Sequence, residues 1–96
     1  MNKNFRKWLD LAVRLRDQLP DASGLACPYC GAESVDYQYV GNIGTRIGFL
    51  DVWCGKCLTG IHLSRVEAPQ TVELLSFDCS LDVISARIPE FRQISP

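Results

Sequence analysis

Apolar residues near the N-terminus recur at the spacing of one face of an α-helix. Between Asn4 and Leu19 they follow a spacing of three and four, with Trp8 and Leu9 side by side, at Phe5, Trp8, Leu9, Ala12, Leu15 and Leu19. This period predicts an amphipathic helix that packs its apolar side on the rest of the chain. Pro20 ends the predicted helix, because proline lacks the N–H that the next helical hydrogen bond requires. The polar face carries charges that can pair at the surface, at Arg6, Asp10, Arg14 and Asp17.

The pattern changes to that of β-strands in the middle of the chain. Residues 34–40 alternate between apolar and polar side chains, which predicts a half-buried strand. Residues 46–53 are apolar on both faces, as expected of a central strand that other elements cover on two sides. Residues 60–66 alternate again and predict the third strand of an antiparallel meander.

The C-terminal third predicts a short strand and a short helix. Residues 71–77 are rich in β-branched and apolar side chains, so we expect them to form a fourth strand at an edge of the sheet. Ser80 or Asp78 is positioned to cap a helix that ends at Pro89. This helix would carry the apolar residues Leu81, Ile84 and Ile88. Residues 90–96 are predicted to form a tail.

Composition indicates one folded domain. The 96 residues are 47% hydrophobic and 22% charged, which is typical of a globular protein. We expect a single domain over 1–96, with a helix at 1–20, a central unit at 25–66 and a C-terminal strand and helix extension at 67–96. Charged residues interrupt every apolar stretch that could serve as a signal peptide or a membrane span. The expected location is therefore the cytoplasm, where paired cysteines bind metals more often than they form disulfides.

Two Cys-x-x-Cys pairs dominate the candidate chemistry, Cys27 with Cys30 and Cys54 with Cys57. Two residues between ligands let the backbone turn tightly, so both sulfur atoms of a pair can face one ion. The segment between the pairs is long enough for a hairpin, which would bring both turns to one place. We therefore predict one structural zinc ion held by these four cysteines. Its binding free energy would contribute directly to folding.

The first pair stands in the sequence Cys27-Pro28-Tyr29-Cys30-Gly31, which resembles the knuckle of zinc-ribbon domains. The second pair is less similar, because Leu58 stands where ribbons often carry glycine. The resemblance covers roughly residues 25–66 and implies a four-cysteine zinc site beneath a small antiparallel sheet. The full prediction is an α+β fold, with an N-terminal amphipathic helix, a zinc ribbon of three to four antiparallel strands and a short C-terminal helix. Zinc ribbons occur in transcription, translation, enzyme lids and protein docking, so the resemblance selects no function.

Other interpretations of the cysteines and of the histidine stay open. Iron is an alternative to zinc, because rubredoxin-like sites also use two cysteine pairs, and disulfides or free thiols are further alternatives. His62, the only histidine, is expected to be a strand residue, with a role at or near the metal as the alternative. Cys79, the fifth cysteine, is expected to be a small buried hydrophobe, with a redox-responsive thiol as the alternative.

Two functional hypotheses fit the sequence, and neither is enzymatic. No nucleophile with a base and no phosphate-binding glycine loop is recognisable, so we expect no catalytic activity. The favoured hypothesis is a protein-docking or regulatory module, which should expose an apolar or aromatic patch. The alternative is a nucleic-acid binder, although the 10 Lys and Arg residues are balanced by 11 Asp and Glu residues. A nucleic-acid binder would place its cations on one face, namely Lys3, Arg6, Lys7, Arg46, Lys56 and Arg65.

Overall fold

The N-terminal segment forms the predicted amphipathic helix. A computed structural model describes residues 3–96, so Met1 and Asn2 of the predicted segment 1–20 lie outside the described residues. Helix α1 spans Lys3–Gln18, and its buried residues are Phe5, Trp8, Leu11, Ala12 and Leu15. Leu11 takes the core position that was predicted for Leu9, which is only half-buried. Leu11 lies three residues from Trp8 and four from Leu15, so it stands nearer the centre of the buried stripe.

Five strands and a second helix follow α1. The strands are β1 (Val35–Gly41), β2 (Ile47–Cys54), β3 (Thr59–Glu67), β4 (Leu74–Ser76) and β5 (Arg92–Gln93). Helix α2 spans Leu81–Arg87 between β4 and β5, and the Ser80 hydroxyl accepts a hydrogen bond from the Val83 amide at its N-terminus. The predicted α+β class, the N-terminal helix and the short capped C-terminal helix are therefore confirmed. No helix within residues 3–96 is both long and apolar enough to cross a membrane.

The sheet is mixed, so the prediction of a purely antiparallel sheet with three to four strands is wrong. The strand order is β4-β1-β2-β3-β5. The central strands β1, β2 and β3 pair antiparallel as expected, but β4 runs parallel to β1 and β5 runs parallel to β3. Both edge strands reach the sheet after a crossover rather than a hairpin, and a crossover returns the chain in the same direction.

The predicted tail at residues 90–96 contains the edge strand β5. The Arg92 amide donates to the Leu58 carbonyl at 2.7 Å, and the Ile94 amide donates to the Gly60 carbonyl at 2.8 Å. Ile94 is buried in the core. A strand of two residues is too short to leave an alternating pattern, so its pairing depends on the edge that β3 offers.

The two faces of the sheet are covered by different parts of the chain. Helix α1 packs on one face, where Leu50, Val52 and Cys54 of β2 are buried. On the other face, Arg87 of α2 donates two hydrogen bonds of 2.9 Å to the Asp36 carboxylate and stands over the Trp53 ring. The Phe91 ring also stacks on Trp53, with centroids 6.0 Å apart. The indole is thus buried by the C-terminal segment, as the double-sided apolar pattern of β2 predicts.

A β-bulge interrupts the pairing of β2 with β3. Gly48 pairs with Val66 and Phe49 pairs with Ser64, which leaves Arg65 as the extra residue. Arg65 has a φ of 57°, in the left-handed region. The predicted alternation of residues 60–66 therefore ends at Arg65, because an extra residue shifts the side chains that follow it to the opposite face.

Candidate metal centre

The four cysteines of the two pairs come together at one end of the sheet. Cys54 is the last residue of β2 and pairs with Val35 at the start of β1, so the hairpin places the second turn beside the first. The ligand atoms of all four cysteines lie within 4.8 Å of one another. Two contacts join the two pairs, with 3.7 Å between the sulfur atoms of Cys27 and Cys57 and between those of Cys30 and Cys54.

These distances are compatible with one metal ion at the centre of the cluster. Zn²⁺ binds thiolate sulfur at about 2.3 Å in a tetrahedral shell, which places neighbouring sulfur atoms about 3.8 Å apart. The separations of 3.7 Å between Cys27 and Cys57 and between Cys30 and Cys54 match that spacing. The donor set consists of four sulfur atoms and contains no nitrogen or oxygen.

Backbone amides in both turns point at the sulfur atoms. The amides of Tyr29 and Cys30 donate to Cys27 Sγ at 3.3 Å and 3.4 Å, and the Lys56 amide donates to Cys54 Sγ at 3.4 Å. Such bonds stabilise a thiolate more than a thiol because the charged acceptor is the stronger one. Both turns are therefore shaped to hold negatively charged sulfur.

The two turns share one backbone conformation although their sequences differ. In the first, the Gly31 amide donates to the Cys27 carbonyl at 2.9 Å, and in the second, the Leu58 amide donates to the Cys54 carbonyl at 2.9 Å. Gly31 has a φ of 80° and Leu58 has a φ of 53°. Leu58 thus adopts the left-handed conformation that glycine favours, at the position where the first turn carries Gly31.

Replacing Leu58 by glycine is expected to raise the free energy of unfolding of the metal-loaded protein. A left-handed conformation costs a residue with a Cβ about 1–2 kcal/mol, and the greater flexibility of unfolded glycine offsets part of that gain. The Leu58 side chain is 42% exposed, so the loss of its remaining packing offsets a further part of the gain. We expect a net gain of about 0.5–1 kcal/mol, measured by denaturant unfolding.

The matched variant is Gly31→Ala in the first turn. No atom lies within 4 Å of a Cβ built at Gly31, so this substitution tests the backbone conformation alone. It should lower the free energy of unfolding by about 1 kcal/mol. If both variants change stability in the same direction, the shared left-handed conformation of the two turns is not what determines the effect.

Burial differs among the four thiols and changes their acidity. Cys27 and Cys54 are buried, Cys57 is half-buried and Cys30 is exposed. Burial raises the pKa of Cys27 to about 12. Burial also acts to raise the pKa of Cys57, but hydrogen bonds from Thr59 and from the thiols of Cys27 and Cys30 outweigh it and lower that pKa to about 7. A bound cation would favour the thiolate form of all four cysteines. Its positive charge would stabilise the thiolates in place of the water that burial excludes.

His62 and Cys79 do not join the cluster of four sulfur atoms. His62 lies on β3, where its Nδ1 is 2.6 Å from Oδ1 of Asp51 on β2. Cys79 is half-buried in the segment between β4 and α2. Burial raises the pKa of the Asp51 carboxyl, and the hydrogen bond and charge of His62 counteract that rise. The strand prediction for His62 is confirmed, but its pairing with Asp51 was missed, because only the register of β2 with β3 reveals it.

The chain was also compared with known proteins. It matches no model of a protein family, and it matches neither a curated protein nor a solved structure. The likeness to zinc ribbons therefore rests on the sequence of the first turn and on the geometry of the four sulfur atoms.

Proposed function

We propose that this chain is a small cytoplasmic zinc protein whose metal is structural and whose surface docks another protein. The observation that carries the zinc assignment is the convergence of four thiol groups within 4.8 Å. Four protein ligands fill the usual coordination shell of Zn²⁺, whereas a catalytic zinc keeps a position for water or substrate. We therefore assign no catalytic role to the site.

The cysteines would hold the ion and link β1, β2 and β3 at their common end. Thiolates are soft ligands that suit both zinc and iron, so the metal itself has to be measured. Protein purified without added metal should contain stoichiometric zinc by plasma mass spectrometry and should be colourless. Stoichiometric iron with visible thiolate-to-iron absorption would contradict the zinc assignment, and a metal-free folded protein would contradict the metal site as a whole.

An exposed aromatic cleft supports protein docking. Ile47, Phe49 and Phe77 line a cleft of about 330 Å³ and form what we call the docking patch. Ile47 is 50% exposed and Phe77 is 54% exposed, and the rings of Phe49 and Phe77 have centroids 6.2 Å apart. Exposed aromatic and aliphatic side chains grouped in this way are typical anchors of protein interfaces.

The alternative, nucleic-acid binding, has weaker support from the cations. Arg46 donates hydrogen bonds to the carbonyl groups of Ala68, Pro69 and Val72, so its guanidinium holds a loop in place. A phosphate contact would have to compete with those bonds. Arg87 is similarly engaged by Asp36.

The docking hypothesis can be tested with a matched pair of surface variants. Proteins that co-purify with the tagged chain from its host would be identified and then assayed as purified components. Phe77→Ser should weaken binding about tenfold or more if the patch is an anchor. Leu81→Ser, which replaces an 80% exposed apolar residue outside both cavities, should leave binding unchanged.

A nucleic-acid titration separates the two hypotheses. Fluorescence anisotropy with generic DNA and RNA should show no binding even at low salt. Low salt is the most sensitive condition, because electrostatic contacts to phosphates are strongest there. Salt-sensitive binding that is lost on Arg65→Gln and Lys56→Gln would favour the alternative. A purified partner that binds Phe77→Ser as tightly as the unchanged protein would contradict the docking patch.

A further inference from the structure

A second cavity lies on the other face of the sheet, between helix α1 and the central strands. Its volume is about 520 Å³, which is within the range of about 300–1,000 Å³ that is common for small-molecule sites. The floor is a row of three residues from neighbouring strands, since Tyr39 pairs with Leu50 and Leu50 pairs with Leu63. Ala12 of α1 lines the cavity with only a methyl group. The small side chain leaves space over the row.

The apolar wall continues around this floor. Leu9, Val13 and Val66 also line the cavity. Leu9 and Val66 are half-buried and Val13 is 62% exposed, so the wall opens to solvent. Apolar side chains that face a concave opening gain stability when an apolar ligand removes them from water.

Two arginines stand at the cavity without an acidic partner. Arg16 in the last turn of α1 and Arg65 at the β-bulge both line it. Neither forms a salt bridge within the described range 3–96, where the ion pairs join His62 with Asp51 and Arg87 with Asp36. Glu67 is the acidic residue among those that line this cavity. The charge at the cavity is therefore net positive.

The phenol of Tyr39 adds a hydrogen-bond donor near Arg16. Tyr39 is only 3% exposed and lines the cavity. Burial raises the pKa of Tyr39, and the positive charge of Arg16 acts against that rise. The phenol is thus protonated at neutral pH and lies within the field of Arg16, so both groups can serve one anionic ligand atom.

We propose that this cavity binds an amphipathic carboxylate, such as a medium-chain fatty acid. The chain would lie between Ala12 and the row formed by Tyr39, Leu50 and Leu63, and the carboxylate would accept hydrogen bonds from Arg16, Arg65 and the Tyr39 hydroxyl. A guanidinium pairs with a carboxylate through two parallel hydrogen bonds, which gives the site a preference for this headgroup. The floor of this site lies on the opposite face from the docking patch, and the site involves no cysteine. Arg65 lines both cavities, so Arg16→Gln is the variant that tests this site independently of the proposed function.

The test is a titration of the zinc-loaded, isotope-labelled protein with decanoate below its micelle concentration. The amide resonances of Ala12, Leu50 and Leu63 should shift with saturation. Decylamine and decanol carry the same chain with a positive or a neutral headgroup, and both should bind about tenfold or more weakly than decanoate.

Variants identify the groups that recognise the ligand. Arg16→Gln and Arg65→Gln, both at exposed positions, should each weaken decanoate binding about tenfold, because each removes a charged donor. Glu67→Gln should bind decanoate more tightly, since it removes a like charge from the cavity. Arg14→Gln, at an exposed position of α1 outside the cavity, is the matched control and should leave the affinity unchanged. Ala12→Leu should abolish binding by filling the cavity, and circular dichroism verifies that the variant remains folded.

Three results would overturn the proposal. The first is the absence of saturable shifts with decanoate. The second is equal affinity for decanoate and decylamine, which would mean that the arginines do not select the headgroup. The third is a shift of the same amide resonances by an acidic amphipathic peptide but not by decanoate. That result would make the cavity a groove for a partner protein.

Discussion

Replacing Cys54 by serine is expected to abolish the cooperative unfolding transition of this protein. Cys54 is fully buried and supplies one of the four clustered sulfur atoms. In small zinc domains the metal contributes about 10 kcal/mol or more to folding, whereas a typical domain is stable by only about 5–15 kcal/mol. A protein that loses most of the metal contribution should be largely unfolded, with flat denaturation curves by circular dichroism and tryptophan fluorescence.

Cys79→Ser is the matched control, because Cys79 is also a free thiol but lies outside the cluster. This variant should keep stoichiometric zinc and unfold close to the unchanged protein. Chelation of the metal from the unchanged protein should reproduce the Cys54→Ser result, and added zinc should reverse it. A Cys54→Ser variant that unfolds as cooperatively as Cys79→Ser would show that the cluster is not a structural metal site.

Replacing Gly60 by alanine is expected to have the second largest effect. Gly60 of β3 pairs with Trp53 of β2, and both are buried. A Cβ at Gly60 would clash with the carbonyl oxygen of Val52 and would stand 2.7 Å from Trp53 Cα. Because these atoms belong to the backbone, relief requires β2 and β3 to separate beside the cysteine cluster. We expect the free energy of unfolding to fall by about 3 kcal/mol.

Gly55→Ala provides the control for this substitution. Gly55 lies in the second cysteine turn and is exposed, and a Cβ there would stand 3.5 Å from the Ser34 carbonyl oxygen, an ordinary contact. Its effect on the free energy of unfolding should be under about 1 kcal/mol. Equal losses for Gly60→Ala and Gly55→Ala in urea denaturation would contradict the close approach of β2 and β3.

The elements with a strong local period were predictable from the sequence. Helix α1 and the strands β1 and β3 repeat apolar residues at periods of 3.6 or 2, which depend only on local backbone geometry, and β2 is a short run that is apolar on both faces. The short helix α2 was predictable from its Ser80 cap and from Pro89, which lies beyond its end. The gathering of the cysteines followed from their spacing, since a hairpin between the two pairs brings its ends together.

Pairing over long distances was decided only by the tertiary structure. The directions of β4 and β5 depend on which edges of the sheet remain free. These strands have three and two residues, which is too short for a hydrophobic pattern that would predict their direction. The pair of Asp51 with His62 depends on the register of β2 with β3. The cavity under α1 depends on how the helix lies over the row of Tyr39, Leu50 and Leu63.

The two cysteine turns show where local sequence and tertiary structure meet. Gly31 allows a left-handed residue to be predicted from the sequence, because glycine adopts a positive φ at little cost in free energy. Leu58 does not, yet it takes the same conformation, with a φ of 53°. The sequence by itself thus determined which residues form the main elements and which cysteines can meet. The tertiary structure decided edge pairing, bulge and strained turn, because those depend on contacts between residues far apart in the chain.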